Sequence, residues 1–341
     1  MRDGFADGGG LMHTEHLPHG GRIEAAARRY PHAPRPFVDL STGINPVPYP
    51  LPPLPAECFT RLPEPEALAR LLAVAAGAYA AADPALLAAA PGTQILISLL
   101  PRLRPPSRVA VLSPTYGEHA ESWRLGGHEV EAVATLAGLE AADVAVVGQP
   151  NNPDGARHAR GDLLGLADRL AARGGWLVVD EAFADLEPEV ESMVPALPHP
   201  AVIVLRSFGK SYGLAGVRLG FAAAGAEMAA RIAAALGPWA VSGAALAIGQ
   251  AALADRPWRE AAAARLAADA ARLDRTLTAA GLVVVGGTNS YRYCQVTDAE
   301  GCSDALACAG ILVRAFAERP DRLRFGLPGD PAAWARLEAV L

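Results

Sequence analysis

The sequence predicts an α/β protein, with a large domain on a mostly parallel sheet and a smaller α+β domain. Three observations carry that reading. Between residues 86 and 222 short apolar strands alternate with helical patterns, and repeated βα units of this kind build a sheet covered on both faces. Gly92, Pro114, Asn152, Asp180 and Ser207 each fall just after such a strand, where open α/β sheets collect ligand groups. An alanine-rich helix at 257–280, closed by Gly281 as its C-cap, then gives way to short strands with flanking helices.

Residues 1–36 are rich in Gly, His and Pro and hold one short helical candidate at 22–29. His13, His16 and His19 would need a helix to gather a metal, and Pro18 and Gly20-Gly21 break one, so no metal site is expected. His19-Gly20-Gly21 can instead form an anion-binding backbone nest with an imidazole beside it. Residues 37–40 read as a short strand running into the turn Ser41-Thr42-Gly43-Ile44-Asn45-Pro46. Prolines between 46 and 55 make an extended linker, and a helix at 65–79 follows.

Apolar runs place the next strands at 86–90, 108–113, 129–133, 143–148, 176–179, 201–205 and 217–222. Helical patterns fall at 92–100, 116–125, 162–173, 227–236 and 244–253. Beyond the long helix come strands at 282–285, 291–296, 311–316 and 323–326, a helix at 303–309 and a last one from Pro331. The expected division is an N-terminal segment at 1–50, a large domain at 51–250 and a small domain at 251–341.

Composition narrows the class. The 341 residues, 51% hydrophobic and 19% charged, describe a globular chain able to bury a large core. A net charge of −6 offers no basic surface to nucleic acid or membrane. Asp83-Pro84 interrupts the longest alanine-rich run, so no bilayer span is expected. Cys58, Cys294, Cys302 and Cys308 lack paired metal spacing and read as reduced thiols. No apolar segment of a signal peptide precedes them, and the expected location is the cytoplasm.

The chemistry gathers between Ser207 and Arg218. An apolar strand delivers Lys210 into a glycine-broken loop, where desolvation lowers an amine's pKa and makes it a nucleophile toward a carbonyl. Arg218, eight positions on, suits bidentate capture of a phosphate. Pyridoxal phosphate offers both groups. Asp180, at a strand end, would keep a pyridine nitrogen protonated and the ring an electron sink, although a helix N-cap or a surface carboxylate fits that position equally well. Asn152 lies in Asn151-Asn152-Pro153-Asp154-Gly155, turn chemistry by composition, and could donate to the ring's phenolic oxygen. Gly92-Thr93-Gln94 offers helix-start amides to a phosphate, and Tyr116 a ring for stacking.

In their order along the chain, Gly92-Thr93-Gln94, Pro114-Thr115-Tyr116, Asn151 to Gly155, Asp180-Glu181-Ala182-Phe183 and Ser207 to Arg218 resemble the fold-type I PLP enzymes, the class I/II aminotransferase family. The likeness covers nearly the whole chain. It implies Lys210 as the Schiff-base lysine, Asp180 against the pyridinium nitrogen, Asn152 at the ring oxygen and Tyr116 on the ring face. Gly92, Thr93, Gln94, Ser207 and Arg218 would hold the cofactor phosphate. His19-Gly20-Gly21, the segment Asp39 to Pro46 and Arg322 to Gly329 are similar to the branch of that family that decarboxylates a phosphorylated threonine. By that resemblance His19, Gly20, Ile44, Asn45, Asn152 and Arg324 meet the substrate, Arg324 on its carboxylate. The implied reaction converts L-threonine O-3-phosphate into (R)-1-amino-2-propanol O-2-phosphate for cobalamin biosynthesis, in a homodimer. Transamination of histidinol phosphate by the same machinery is the alternative. Arg22, Arg157 and Arg314 are candidates for the substrate phosphate.

Three positions depart from the family pattern. Phe183 stands where relatives carry a tyrosine that donates to the ring oxygen. Gly209 replaces a hydroxyl residue before the lysine, and Leu62 a tyrosine that reaches the neighbouring subunit's phosphate.

Overall fold

The computed structural model describes residues 19–341, so His13 and His16 lie outside the described part. After α1 (Ile23–Arg29), β1 (Val38–Asp39) and α2 (Glu57–Thr60), helix α3 (Pro65–Tyr79) starts with a proline in its first turn, where no amide is needed. Five strands with three helices among them follow. They comprise β2 (Leu87–Ala90) and α4 (Thr93–Leu99), β3 (Arg108–Leu112) and α5 (Glu118–Leu125), β4 (Glu129–Val133), β5 (Val144–Gly148) and α6 (Arg160–Ala171), then β6 (Trp176–Asp180). β7 (Val202–Ser207) feeds the one-turn α7 (Phe208–Ser211), and β8 (Gly220–Ala224) returns.

These seven strands form one sheet in the order β2-β8-β7-β6-β5-β3-β4. β8 pairs antiparallel with both neighbours, and every other pairing is parallel. Successive residues face opposite layers, as the two-residue period of a strand requires. Val147, Val179 and Val204 join the layer of Leu71 and Leu163, whereas Val146, Val178 and Ile203 join that of Leu96 and Trp123. Both layers are apolar, hence the unbroken Val/Ala runs. Each fully buried leucine here contributes about 2 kcal/mol of transfer free energy.

α8 (Ala226–Leu236) and α9 (Gly243–Ala254) lead to the long α10 (Arg256–Ala279), whose Asp255 cap accepts from the Trp258 amide. Ala262, Leu266, Ala270, Leu273 and Leu277 recur every three or four residues along α10 and anchor a second core. Its sheet follows the order β12-β13-β10-β9, from β9 (Val283–Thr288), β10 (Tyr291–Gln295), β12 (Arg314–Phe316) and β13 (Arg319–Gly326). α11 (Ala299–Cys308) and α12 (Pro331–Val340) complete it.

Several bounds differ from the sequence reading: the strand expected at 217–222 is β8 at Gly220–Ala224, and β13 begins at Arg319 rather than at 323. The run 311–316 is split: β11 (Ile311–Leu312) pairs in parallel with β1, while β12 pairs with β13. The N-terminal segment thus enters the second core through Leu40. α11 also begins four residues earlier than expected, because the Asp298 side chain accepts from the Gly301 amide. Among the described residues no helix is long and apolar enough to cross a membrane.

Candidate active site

The C-terminal ends of β5, β6 and β7 open into a cavity of about 200 Å³, lined by Gly92, Tyr116, Asn152, Asp180, Ser207, Lys210 and Arg218 among others. A larger vestibule of about 650 Å³ continues from it past Ile44 and Lys210 to His19, Gly20, Arg314 and Arg324. One cleft therefore gathers nearly every residue singled out from the sequence.

Lys210 sits in α7 rather than in an open loop, and its carbonyl accepts from the Asn45 amide at 2.9 Å. Burial, then the nearby Arg324 guanidinium, pushes its amine down to about 8, with Asp180 pulling the other way. Its Nζ stands 4.6 Å from the centre of the Phe183 ring. Lys210 is also the sole lysine of the 341 residues. That count is a signal the motif reading passed over.

Asp180 ends β6. Burial alone would raise its carboxyl, but the hydrogen bond with His119 and the Ala182 amide outweigh burial and hold it below the usual carboxylate range. His119 Nε2 lies 2.8 Å from Asp180 Oδ2. Sequence reasoning missed His119. Its signal was position: three residues after Tyr116, on the first turn of α5, it turns toward the same strand end. Tyr116 meets His119 edge-on at 6.0 Å and donates to Gln94 Oε1 at 3.0 Å.

The far wall is shaped for an anion. Gly92 takes φ +90°, and a Cβ there would collide with the Arg218 guanidinium. Arg218 itself adopts the left-handed conformation at φ 55°. A Cβ on Gly220 would lie 2.7 Å from the Thr93 amide nitrogen, so the start of α4 is packed directly onto β8. Ser207 and Thr93 complete this end, and Asp180 is the one carboxylate lining the cavity. Amine, acid, aromatic face and carboxylate-free anion cradle fit pyridoxal phosphate.

Arg324 is buried, donates to the Ser41 carbonyl at 3.0 Å and to Asn152 Oδ1, and lies over the Tyr291 ring at 4.9 Å. Because Arg324 occupies that amide oxygen, Asn152 has its Nδ2 to offer to the cofactor. Ile44 and Gly20 line the cleft. His19 does so too, and pairs with Glu118 at 3.1 Å, whose other oxygen accepts from Gln94 at 3.1 Å.

Asn45 is placed differently from the expectation that it meets substrate. It lines neither cavity, and its side chain is consumed internally, by the Ser211 carbonyl at 2.8 Å, the Val47 amide and Arg265. It brackets α7. Arg157 is held by the buried Glu187 at 2.9 Å, and Arg22 is outside the cleft, whereas Arg314 lines the vestibule opposite Arg324 in the β12–β13 register.

The three departures have physical counterparts. Phe183 packs edge-on against Tyr291 at 5.1 Å, and Gly43 leaves it room. A Cβ on Gly209 would come within 2.8 Å of Ala215 Cα, so the missing hydroxyl goes with a closer loop. Leu62 is 62% exposed.

A family model, aminotransferase class I and II, matches residues 65–337. The chain is 44% identical over 328 residues to the threonine-phosphate decarboxylase of Pseudomonas aeruginosa, covering 95% of this chain and 97% of that protein. It is 43% identical to a threonine-phosphate decarboxylase from a Sinorhizobium species, again over 95% and 97%. Its fold matches the histidinol-phosphate aminotransferase of Sinorhizobium meliloti, solved with pyridoxal-5'-phosphate, with a TM-score of 0.78, 22% identity and coverage of 95% and 94%. The chain belongs to the class I and II aminotransferase family.

Proposed function

We propose that this chain is a PLP-dependent decarboxylase that converts L-threonine O-3-phosphate into CO2 and (R)-1-amino-2-propanol O-2-phosphate, a step of cobalamin biosynthesis. The observation that carries the reading is the 44% identity to a threonine-phosphate decarboxylase across 95% of the chain, with a complete cofactor cleft inside that span. Bound in this cleft, pyridoxal phosphate supplies an aldehyde for Lys210 and an electron-withdrawing ring.

The chain's own groups do the rest. Lys210, with its amine near 8, is partly neutral and nucleophilic at physiological pH. Asp180, kept anionic by His119, is the partner for the ring nitrogen. Arg218, Ser207 and the amides at Thr93 and Gln94 hold the cofactor phosphate. Arg324 grips the substrate carboxylate from the vestibule side, and Arg314, opposite Arg324 in the β12–β13 register and lining the same vestibule, takes the substrate phosphate. The Cα–carboxylate bond breaks with its electron pair left at Cα, CO2 departs toward the open vestibule, and the Lys210 ammonium gives Cα the proton that takes the place of the lost carboxylate.

We assign the chain to a cytoplasmic homodimer. Leu51, Phe59 and Leu62 stand 61%, 69% and 62% exposed on one short segment, as a subunit contact requires, and the four cysteines are free thiols. The function is tested by supplying L-threonine O-3-phosphate without 2-oxoglutarate. Stoichiometric CO2 supports decarboxylation, whereas nitrogen transfer from histidinol phosphate to added 2-oxoglutarate, without CO2, refutes it.

A further inference from the structure

Directly behind the cofactor cavity lies a group of buried charges that the reaction above does not use. Arg206, the residue before Ser207 on β7, donates from Nη1 to Glu181 Oε2 at 2.6 Å and pairs through Nη2 with Asp185. Glu181 also accepts from Ser192 Oγ and the Met193 amide, each at 2.6 Å. The Tyr79 ring covers the guanidinium at 4.5 Å. All three charged side chains are at most 6% exposed.

Burying three charges costs several kcal/mol each before their attraction is counted, so packing alone does not favour such a group. Its placement suggests a reason. Glu181 and Asp185 sit two residues either side of Phe183, on the turn that leaves β6 after Asp180. One guanidinium holds both flanks, so the turn is pinned at two points and Phe183 is directed the other way, into the cavity under Lys210.

We propose that Arg206, by gripping the carboxylates of Glu181 and Asp185, is a positioning residue that presents the Phe183 ring to Lys210 and keeps water from its amine. The ring is an apolar wall 4.6 Å from Nζ that takes the place of water there and so favours the neutral amine. A tyrosine hydroxyl at Phe183 is not needed for that.

The inference rests on Lys210 being the amine that carries the cofactor. The test reads the bare amine and is separate from CO2 release, so the two readings fail independently. Because the chain has one lysine, an amine-reactive reagent marks Lys210 and the N-terminal amine alone, and peptide mass spectrometry separates them. In the cofactor-free full chain, the labelling rate of Lys210 is followed against pH, with the N-terminal amine as internal control. Asp180, Arg218 and Arg324, the other charged groups facing Lys210, and Tyr116, which shares its cavity, stay unchanged in every variant.

Asp185→Asn frees one flank and Phe183→Ala removes the apolar wall and admits water beside the amine. Each is expected to raise the Lys210 midpoint by about one pH unit toward an ordinary lysine, with the control unmoved. Leu277→Ala, in the other core, lowers stability and leaves the midpoint in place. Should Asp185→Asn not fold, the charge-free triple Glu181→Gln/Asp185→Asn/Arg206→Met replaces it. A midpoint unchanged in either the pinning variant or Phe183→Ala overturns the proposal.

Discussion

His119 Nε2 approaches Asp180 Oδ2 at 2.8 Å where β6 ends, and both side chains are largely buried, 2% and 12% exposed. This pair holds a negative charge where the proposed cofactor needs one.

Replacing His119 by Phe removes the donor and leaves the carboxylate with its burial. The loss of a hydrogen bond to a buried charge is worth about 1.5 to 3 kcal/mol, and kcat is expected to fall about tenfold to a hundredfold. The sign with pH is fixed. Asp180 is depressed in the parent, so its charge is lost only as pH falls through that low value. In His119→Phe the carboxyl rises, and the acid limb of kcat moves to higher pH. A pH–rate profile checks this.

Lys210 carries a stability cost of its own. Its folded pKa of about 8 lies below the unfolded value, so the folded chain is penalised in full below pH 8 and recovers as pH rises through the interval up to the unfolded pKa. The cost is on the order of 3 kcal/mol. Cofactor-free Lys210→Met is therefore expected to resist urea better than the parent at pH 7. By pH 11 the advantage shrinks, which denaturation curves at the two pH values measure.

Arg324 presents a fork, and a lysine there offers only a point charge. Arg324→Lys also leaves Asn152 Oδ1 and the Ser41 carbonyl short of donors. KM for L-threonine O-3-phosphate is expected to rise about thirtyfold or more, a loss of roughly 2 kcal/mol. Affinity for the cofactor stays within a factor of two in an absorbance titration.

Gly92→Ala sets a Cβ against Arg218 at a backbone φ of +90°. Such a strained position costs about 1 to 3 kcal/mol, and the expected result is at least a tenfold weaker hold on pyridoxal phosphate. Pyridoxal, which lacks the phosphate, should bind the variant and the parent alike. Comparing the two ligands by fluorescence separates a damaged anion cradle from general misfolding.

Strands and helices were legible because both sheet faces are apolar, so Val/Ala runs stand out between glycines and prolines. Local polar pairing was not. The start of α11 depends on a cap from Asp298, and the split at Val313 depends on β1, which lies far away in sequence. Lys210, Asp180 and Arg218 were readable from their positions at or beyond strand ends, and Arg324, inside β13, only from the family's order. His119 and Arg206 were hidden, since each works through a partner on a different strand or helix. Asn45 illustrates the converse: a polar residue in a binding turn whose side chain is spent holding α7.

The most direct measurement is borohydride reduction of the chain loaded with pyridoxal phosphate, followed by peptide mass mapping. The account expects one phosphopyridoxyl group per chain, on the peptide containing Lys210, with activity lost in step with incorporation. A chain that keeps full activity after reduction, or that carries the group on its N-terminal amine instead, would contradict it.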